Sequence, residues 1–210
     1  MRKSTLILAT AISMATSQIA IAAEGPTGAC NLIKTSQIAE LNLHIESEPY
    51  EDGVDVPKGA SGAPSDIWSS ICTLNLGKKG AQFMSIAVHN FSAPVTMAEL
   101  EAWEDETSEK QGGFDDVKKS RTGDITCETG QYDYRPAKDG KVVIVQYYEA
   151  CDELVSGQQR LVINLQTDDK TALPPVDKIR ELLEIAVKNV VPMVKPTPST
   201  SHTTKSLPST

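Results

Sequence analysis

Apolar and polar positions alternate along this chain with two different periods, and those periods predict its elements. "TSQIAELNL" from Thr35 offers an N-cap hydroxyl and then Ile38, Leu41 and Ala39 on one face, the spacing of a short helix. "ICTLNL" from Ile71 and "FMSIAVHNF" from Phe83 repeat every second residue: Cys72, Leu74 and Leu76 point one way, as do Met84, Ile86 and Val88. Separated by "GKKGAQ", they predict a hairpin with one buried face. "TMAELEAWEDETSEK" carries a capping box, Thr96 with Glu99, and aligns Leu100, Trp103 and Thr107 along one side of an acidic helix. Three strand-like runs follow from Asp124, Lys141 and Gln159, with turns at "RPAKDG" and "DELVSG". The run from Pro174 places Val176, Ile179, Leu182, Leu183, Ala186, Val187 and Val190 on a helical stripe that Pro192 stops.

Strands that arrive as a hairpin and a meander, rather than singly between helices, favour an antiparallel sheet. The expected fold class is α+β: an antiparallel sheet of about five or more strands with flanking helices and two disulfides. Two stretches lack either period. Ser47 to Asp66 is rich in Pro, Gly and acidic residues and reads as a long surface loop, a candidate contact surface that includes Tyr50. Its Glu51, Asp52 and Asp55 do not have the spacing of a calcium-binding loop. Residues 195–210 are almost wholly Ser, Thr, Pro, Lys and His and should be a disordered tail.

The start of the chain adds an address. Arg2 and Lys3 precede an apolar run from Leu6 to Ala15, and Ala20-Ile21-Ala22 has the small-x-small pattern of a cleavage site. Residues 1–22 therefore read as a signal peptide cleaved after Ala22, leaving a single domain over 23–194 and the tail. No segment approaches the roughly 20 apolar residues that spanning a membrane requires, which predicts a soluble mature chain in the periplasm or outside the cell. Losing Arg2 and Lys3 takes the net charge from -8 to -10, so nucleic acid is not an expected partner.

Export also bears on the four cysteines. Cys127 and Cys151 lie equally far from Asp139 in "KDG", which sets them opposite each other across a hairpin unless a bulge, for instance at Gly130, shifts the register. Cys30 and Cys72 then pair, and acylation of Cys30 is not expected because no Leu-x-Gly-Cys sequence follows the apolar run.

A secreted domain opening "ACNLIKTSQIAELNL", with a second cysteine in a strand, a helix, a strand meander and a closing amphipathic helix, resembles a group of small bacterial envelope proteins. These are proteins of unknown function with a PsbP-like α/β sandwich. The resemblance covers Ala29 to Val191 and implies a fold and an envelope location. This chain departs from the lipoprotein members in lacking a lipobox and in its additional cysteine pair. No catalytic residues carry over.

The residues themselves offer little catalytic chemistry. With all thiols oxidised there is no cysteine nucleophile. His89 should face away from Val88, exposed or at a rim, and His44 should sit near the carboxyl end of the first helix. No HExxH, CxxC, GxSxG, phosphate-cradling loop or dinucleotide fingerprint occurs. No cofactor or metal is expected. Trp68, Tyr132, Tyr134 and Tyr148, with Tyr50, are the candidate contact residues, although sheet packing explains strand tyrosines equally well. The expectation is a non-enzymatic envelope protein that binds a protein partner or small ligand through its sheet face and the 47–66 loop. A hydrolase using acidic residues, which requires at least two buried carboxylates facing one pocket, and a structural component tethered by the tail are the alternatives.

Overall fold

The computed structural model describes residues 28–77, 83–111, 114–134 and 144–190. The segment expected to be a signal peptide, the expected tail over 195–210, the "RPAKDG" turn and Pro192 lie outside the described residues. The strands are β1 (Tyr50–Val56), β2 (Ile67–Asn75), β3 (Phe83–Phe91), β4 (Phe114–Thr122), β5 (Ile125–Tyr134), β6 (Ile144–Ser156) and β7 (Gln159–Thr167). They form one antiparallel sheet in the order β1-β2-β3-β7-β6-β5-β4. Two meanders, β1 to β3 and β4 to β7, thus meet along β3 and β7. The helices are α1 (Thr35–Ala39), α2 (Met97–Gln111), which connects the meanders, and α3 (Val176–Asn189).

One face of the sheet carries Cys72, Leu74, Met84, Ile86, Val88, Cys127, Cys151, Leu161, Ile163 and Leu165. Against it pack Ile179, Leu182, Leu183 and Ala186, the stripe of α3, together with Ala29, Leu32, Ile33 and Ile38 from the N-terminal segment. Asn189 Nδ2 donates to the Leu32 carbonyl at 2.9 Å and joins the end of α3 to that segment. The opposite face is covered too. Leu100 and Trp103 of α2 cluster there with Ile67, Phe91 and Leu154. The capping box forms as expected: Thr96 N donates to Glu99 Oε2 at 2.8 Å, and Glu99 N to Thr96 Oγ1 at 3.3 Å.

Burial on both faces corrects the expectation of a hairpin with one buried side. Every residue of β7 is buried. His89 does face away from Val88, but it is buried rather than exposed, because α2 lies on the face that the alternation assigns to solvent. His44 is exposed in the segment after α1. The α1 cap also shifts by one residue. The helix begins at Thr35 itself, with Lys34 at the cap position, and Gln37 Oε1 accepts from Lys34 N at 2.8 Å.

The stretch 47–66 is not a loop throughout: β1 occupies its centre and a 3-10 turn spans Ala60–Gly62. β4 appears in no apolar pattern either. Both are edge strands, held by backbone pairing to one neighbour, and such strands need little apolar content. Acidic side chains at Glu51, Asp52 and Asp55 are the kind that deter pairing with another chain at an open edge. β4 is further interrupted by a register shift between Asp115 and Lys118, where Asp116 takes a φ of 54°.

Both disulfides form: Cys30–Cys72, and Cys127–Cys151 directly opposite on β5 and β6. No bulge interrupts the register at Gly130, which sits opposite Tyr148. A Cβ at Gly130 would come within 2.7 Å of the Tyr148 hydroxyl and 2.9 Å of its ring. Gly130→Ala is therefore expected to destabilise the fold by about 1–3 kcal/mol through overpacking, read as a lower urea midpoint.

Candidate functional site

The face under α2 holds a buried charge network. Arg160 on β7 donates from Nε to Asp152 Oδ2 at 2.8 Å and from its terminal nitrogens to both oxygens of Glu104 on α2. All three side chains are nearly inaccessible. Burial alone would lower the Arg160 pKa, but Asp152 and Glu104 outweigh it and hold the guanidinium charged. Beside this triad, Glu128 accepts from the Tyr148 hydroxyl at 2.6 Å and pairs with Lys119 at 3.5 Å. The imidazole of His89 shares a hydrogen bond with Ser69 Oγ at 2.7 Å.

Glu104, Glu128 and Asp152 line one common void, meeting the geometric requirement for an acid-based hydrolase. The void, however, measures about 10 Å³, space for one water and none for a substrate. The cluster is best understood as a polar tie between α2 and the sheet.

A larger opening lies on the other face, at the end of the sheet near the start of α3. It has a volume of about 390 Å³, within the range of small-molecule sites. Lys118 of β4, Thr129 and Gln131 of β5, and Tyr147 and Glu149 of β6 line it. Register sets this arrangement, because Thr129 stands opposite Glu149 and Gln131 opposite Tyr147. Lys170 closes one side with its ammonium 5.7 Å from the centre of the Tyr147 ring. Leu173, Pro174 and Pro175, leading into α3, form an apolar wall.

Depth separates the charges in this cleft. Lys118, Lys170 and Asp116 are exposed, whereas Glu149 is buried to 9 % residual exposure and its Oε2 has no hydrogen-bond partner. Burial pushes the Glu149 carboxyl up to about 7. Among the described residues no group of three potential metal ligands occurs.

No known protein family, curated protein or solved structure matches the chain. Among the described residues no helix is long and apolar enough to cross a membrane.

The aromatic residues expected to form a contact surface do not converge. Tyr50 is 59 % exposed at the start of β1, and Trp68 is half-buried on β2, with opposite register parity. Tyr132 is half-buried on β5, far along the strand order, and the Tyr134 side chain lies outside the described residues. Tyr148 is a correction, since at 3 % exposure it is a core residue bonded to Glu128. Both it and its neighbour Tyr147 border the cleft. Sequence reasoning did not single out Glu149, Lys118 or Lys170. For Glu149 a signal existed: it lies two residues before Cys151 on a strand, so it shares the core-facing side of β6.

These buried groups set a pH dependence. Glu128 and Glu149 are both raised by burial to about 7, so their contribution to stability is complete below the unfolded value and is lost as pH rises through 7. His89 acts oppositely: burial, then the charge of Arg160, lower it to about 3, and stability is lost as pH falls below its ordinary value. Between pH 8 and 5 two glutamates outweigh one imidazole. Stability is expected to peak near about pH 5 and to be roughly 2 kcal/mol lower at about pH 8, with screening of the partly solvated cleft allowed for. Urea titrations across this range check the sign, and Glu128→Gln with Glu149→Gln should remove this slope and leave the opposite one set by His89.

Proposed function

We propose that this chain is an exported, non-enzymatic binding protein of the cell envelope that takes a small ligand in the cleft between β4, β5, β6 and the Leu173–Pro175 segment. The observation that carries this reading is Glu149, a buried carboxyl with an unpartnered oxygen, on a cleft of about 390 Å³. An unpaired buried polar group costs stability, and a bound ligand would supply the missing partner. The central sheet face, first expected to bind, is occupied by α2 and α3, so binding moves to the uncovered end. Two disulfides accord with an oxidising compartment, and residence there after cleavage following Ala22 is part of the proposal.

The test is nuclear magnetic resonance of the intact, disulfide-bonded protein titrated with a metabolite collection. Perturbations should concentrate at Thr129, Tyr147, Glu149 and Lys170. A response confined to the β1 edge, or turnover of any metabolite, would sink the reading.

A further inference from the structure

We propose that the cleft is a site for a small zwitterion of the amino-acid kind, its ammonium group against Glu149 and its acid group between Lys118 and Lys170. This rests on the reading of the cleft as a ligand site and deepens it by naming the ligand's chemistry. The reasoning starts from depth. Among the described lining residues the one buried charged group is acidic, and two of the three exposed charged groups are basic. A ligand that enters with an amine first and leaves a carboxylate at the mouth meets opposite charge at both ends.

Glu149 Oε2 is buried without a partner, and an ammonium group brings several donors to it. The Thr129 hydroxyl stands on the neighbouring strand directly opposite and can share the amine. A buried carboxylate left alone is penalised by desolvation, so the gain on pairing is larger here than at the surface. At the mouth, Lys118 and Lys170 are partly balanced by Asp116, leaving a net positive charge among the described residues. Pro174 and Pro175 lead into the N-terminus of α3, whose macrodipole also favours an anion. Between the ends, the Tyr147 ring, Leu173 and Pro174 offer apolar surface for a hydrocarbon side chain.

Among the described lining residues the charged groups that share the cleft with Glu149 are Asp116 and Lys118 from β4 and Lys170 before α3. Burial raises its pKa. An ammonium ligand binds the ionised carboxylate, so binding weakens as pH falls below 7 and releases a proton. A purely anionic ligand would need Glu149 protonated, and its binding would strengthen as pH falls. The two ligand chemistries therefore give opposite pH slopes.

The experiment is calorimetric titration of the intact protein with three probes: leucine, 4-methylpentanoate, which lacks the amine, and 3-methylbutylamine, which lacks the acid. Leucine should bind tightest, with each truncated probe weaker by about tenfold or more. Leucine binding should weaken from pH 8 to 5.5 on the order of one proton per site. Glu149→Gln, close to isosteric, should weaken leucine and the amine by about tenfold and leave the acid no weaker, since the repelling carboxylate is gone. Lys118→Glu with Lys170→Glu, both at exposed positions, should weaken leucine and the acid and spare the amine. Tight binding of 4-methylpentanoate that strengthens at low pH would overturn the ligand class while leaving the cleft as a site. Failure of all three probes at millimolar concentration would overturn it as well, and the cleft reading falls with it only where the metabolite titration also leaves the cleft silent.

Discussion

Replacing Arg160 with Met is expected to destabilise the protein by about 3–5 kcal/mol, the cost typical of removing one partner from a buried ion cluster. The size follows from what remains. Glu104 and Asp152 are buried at 1 % and 2 % exposure, and both are held by Arg160. Without the guanidinium they must either stay charged in a medium that solvates them poorly or take up protons at neutral pH. Glu104 already tends that way, since burial raises its pKa against the pull of Arg160. The loss should therefore be smaller at pH 5 than at pH 8. Replacing all three together, Arg160→Met with Glu104→Leu and Asp152→Leu, should restore much of the stability, because a well-packed apolar cluster avoids the desolvation of all three charges. Urea denaturation of the single and triple variants at both pH values measures this. A single variant within about 1 kcal/mol of the parent would show that the tie between α2 and the sheet is not held by Arg160.

Removing the Cys30–Cys72 bond by Cys30→Ala and Cys72→Ala is expected to cost about 4 kcal/mol on the chain-entropy model, against about 3.5 kcal/mol for the Cys127–Cys151 pair. The sequence separations, 42 and 24, set that order. The structure adds a reason for a difference in the native state as well. Cys127 and Cys151 lie opposite on strands already paired along their length, so the sheet retains their geometry when the bond is absent. The N-terminal segment has fewer ties. Around Cys30 they are the Glu51 carboxylate, which accepts from Ala29 N at 3.1 Å and Ser70 Oγ at 2.6 Å, and Ser70 Oγ itself, which accepts from Ala29 N at 3.0 Å. Gly28 fits there because a Cβ would come within 2.0 Å of that carboxylate. Loss of Cys30–Cys72 should thus speed amide exchange at Ala29 to Ile38 before the sheet is affected. Hydrogen exchange decides it: uniform loss of protection over the whole sheet would mean the segment is not a separate unit.

Glu51 also changes how the acidic stretch is understood. Its carboxylate satisfies backbone donors at the start of the 3-10 turn Ala29–Asn31, a role that neither a contact loop nor a calcium loop would assign to it. The pairing of Glu51 with Cys72 across β1 and β2 places the acid beside the disulfide it supports. None of this is visible along the chain, because the groups concerned are separated by about twenty residues or more.

What the sequence by itself determined was local. The period-two runs specified β2 and β3, strand-like runs bounded by turns specified β5, β6 and β7, the capping box set the start of α2, and the stripe from Val176 specified α3. Equal spacing about Asp139 set the register of Cys127 against Cys151, and elimination then paired Cys30 with Cys72. Each of these depends on residues within one element or one hairpin, where side-chain direction follows from backbone geometry alone. Tertiary structure decided the rest. β1 and β4 became strands through hydrogen bonds to a neighbour, which need no apolar pattern. β7 came to lie between β3 and β6, and α2 covered the second face, so His89 and Tyr148 became buried. The cleft arose because β4, β5, β6 and the Leu173–Pro175 segment meet at one end of the sheet. Burial of a polar residue such as Glu149 depends on what lies over it, and a strand's own sequence tells only which way the side chain points.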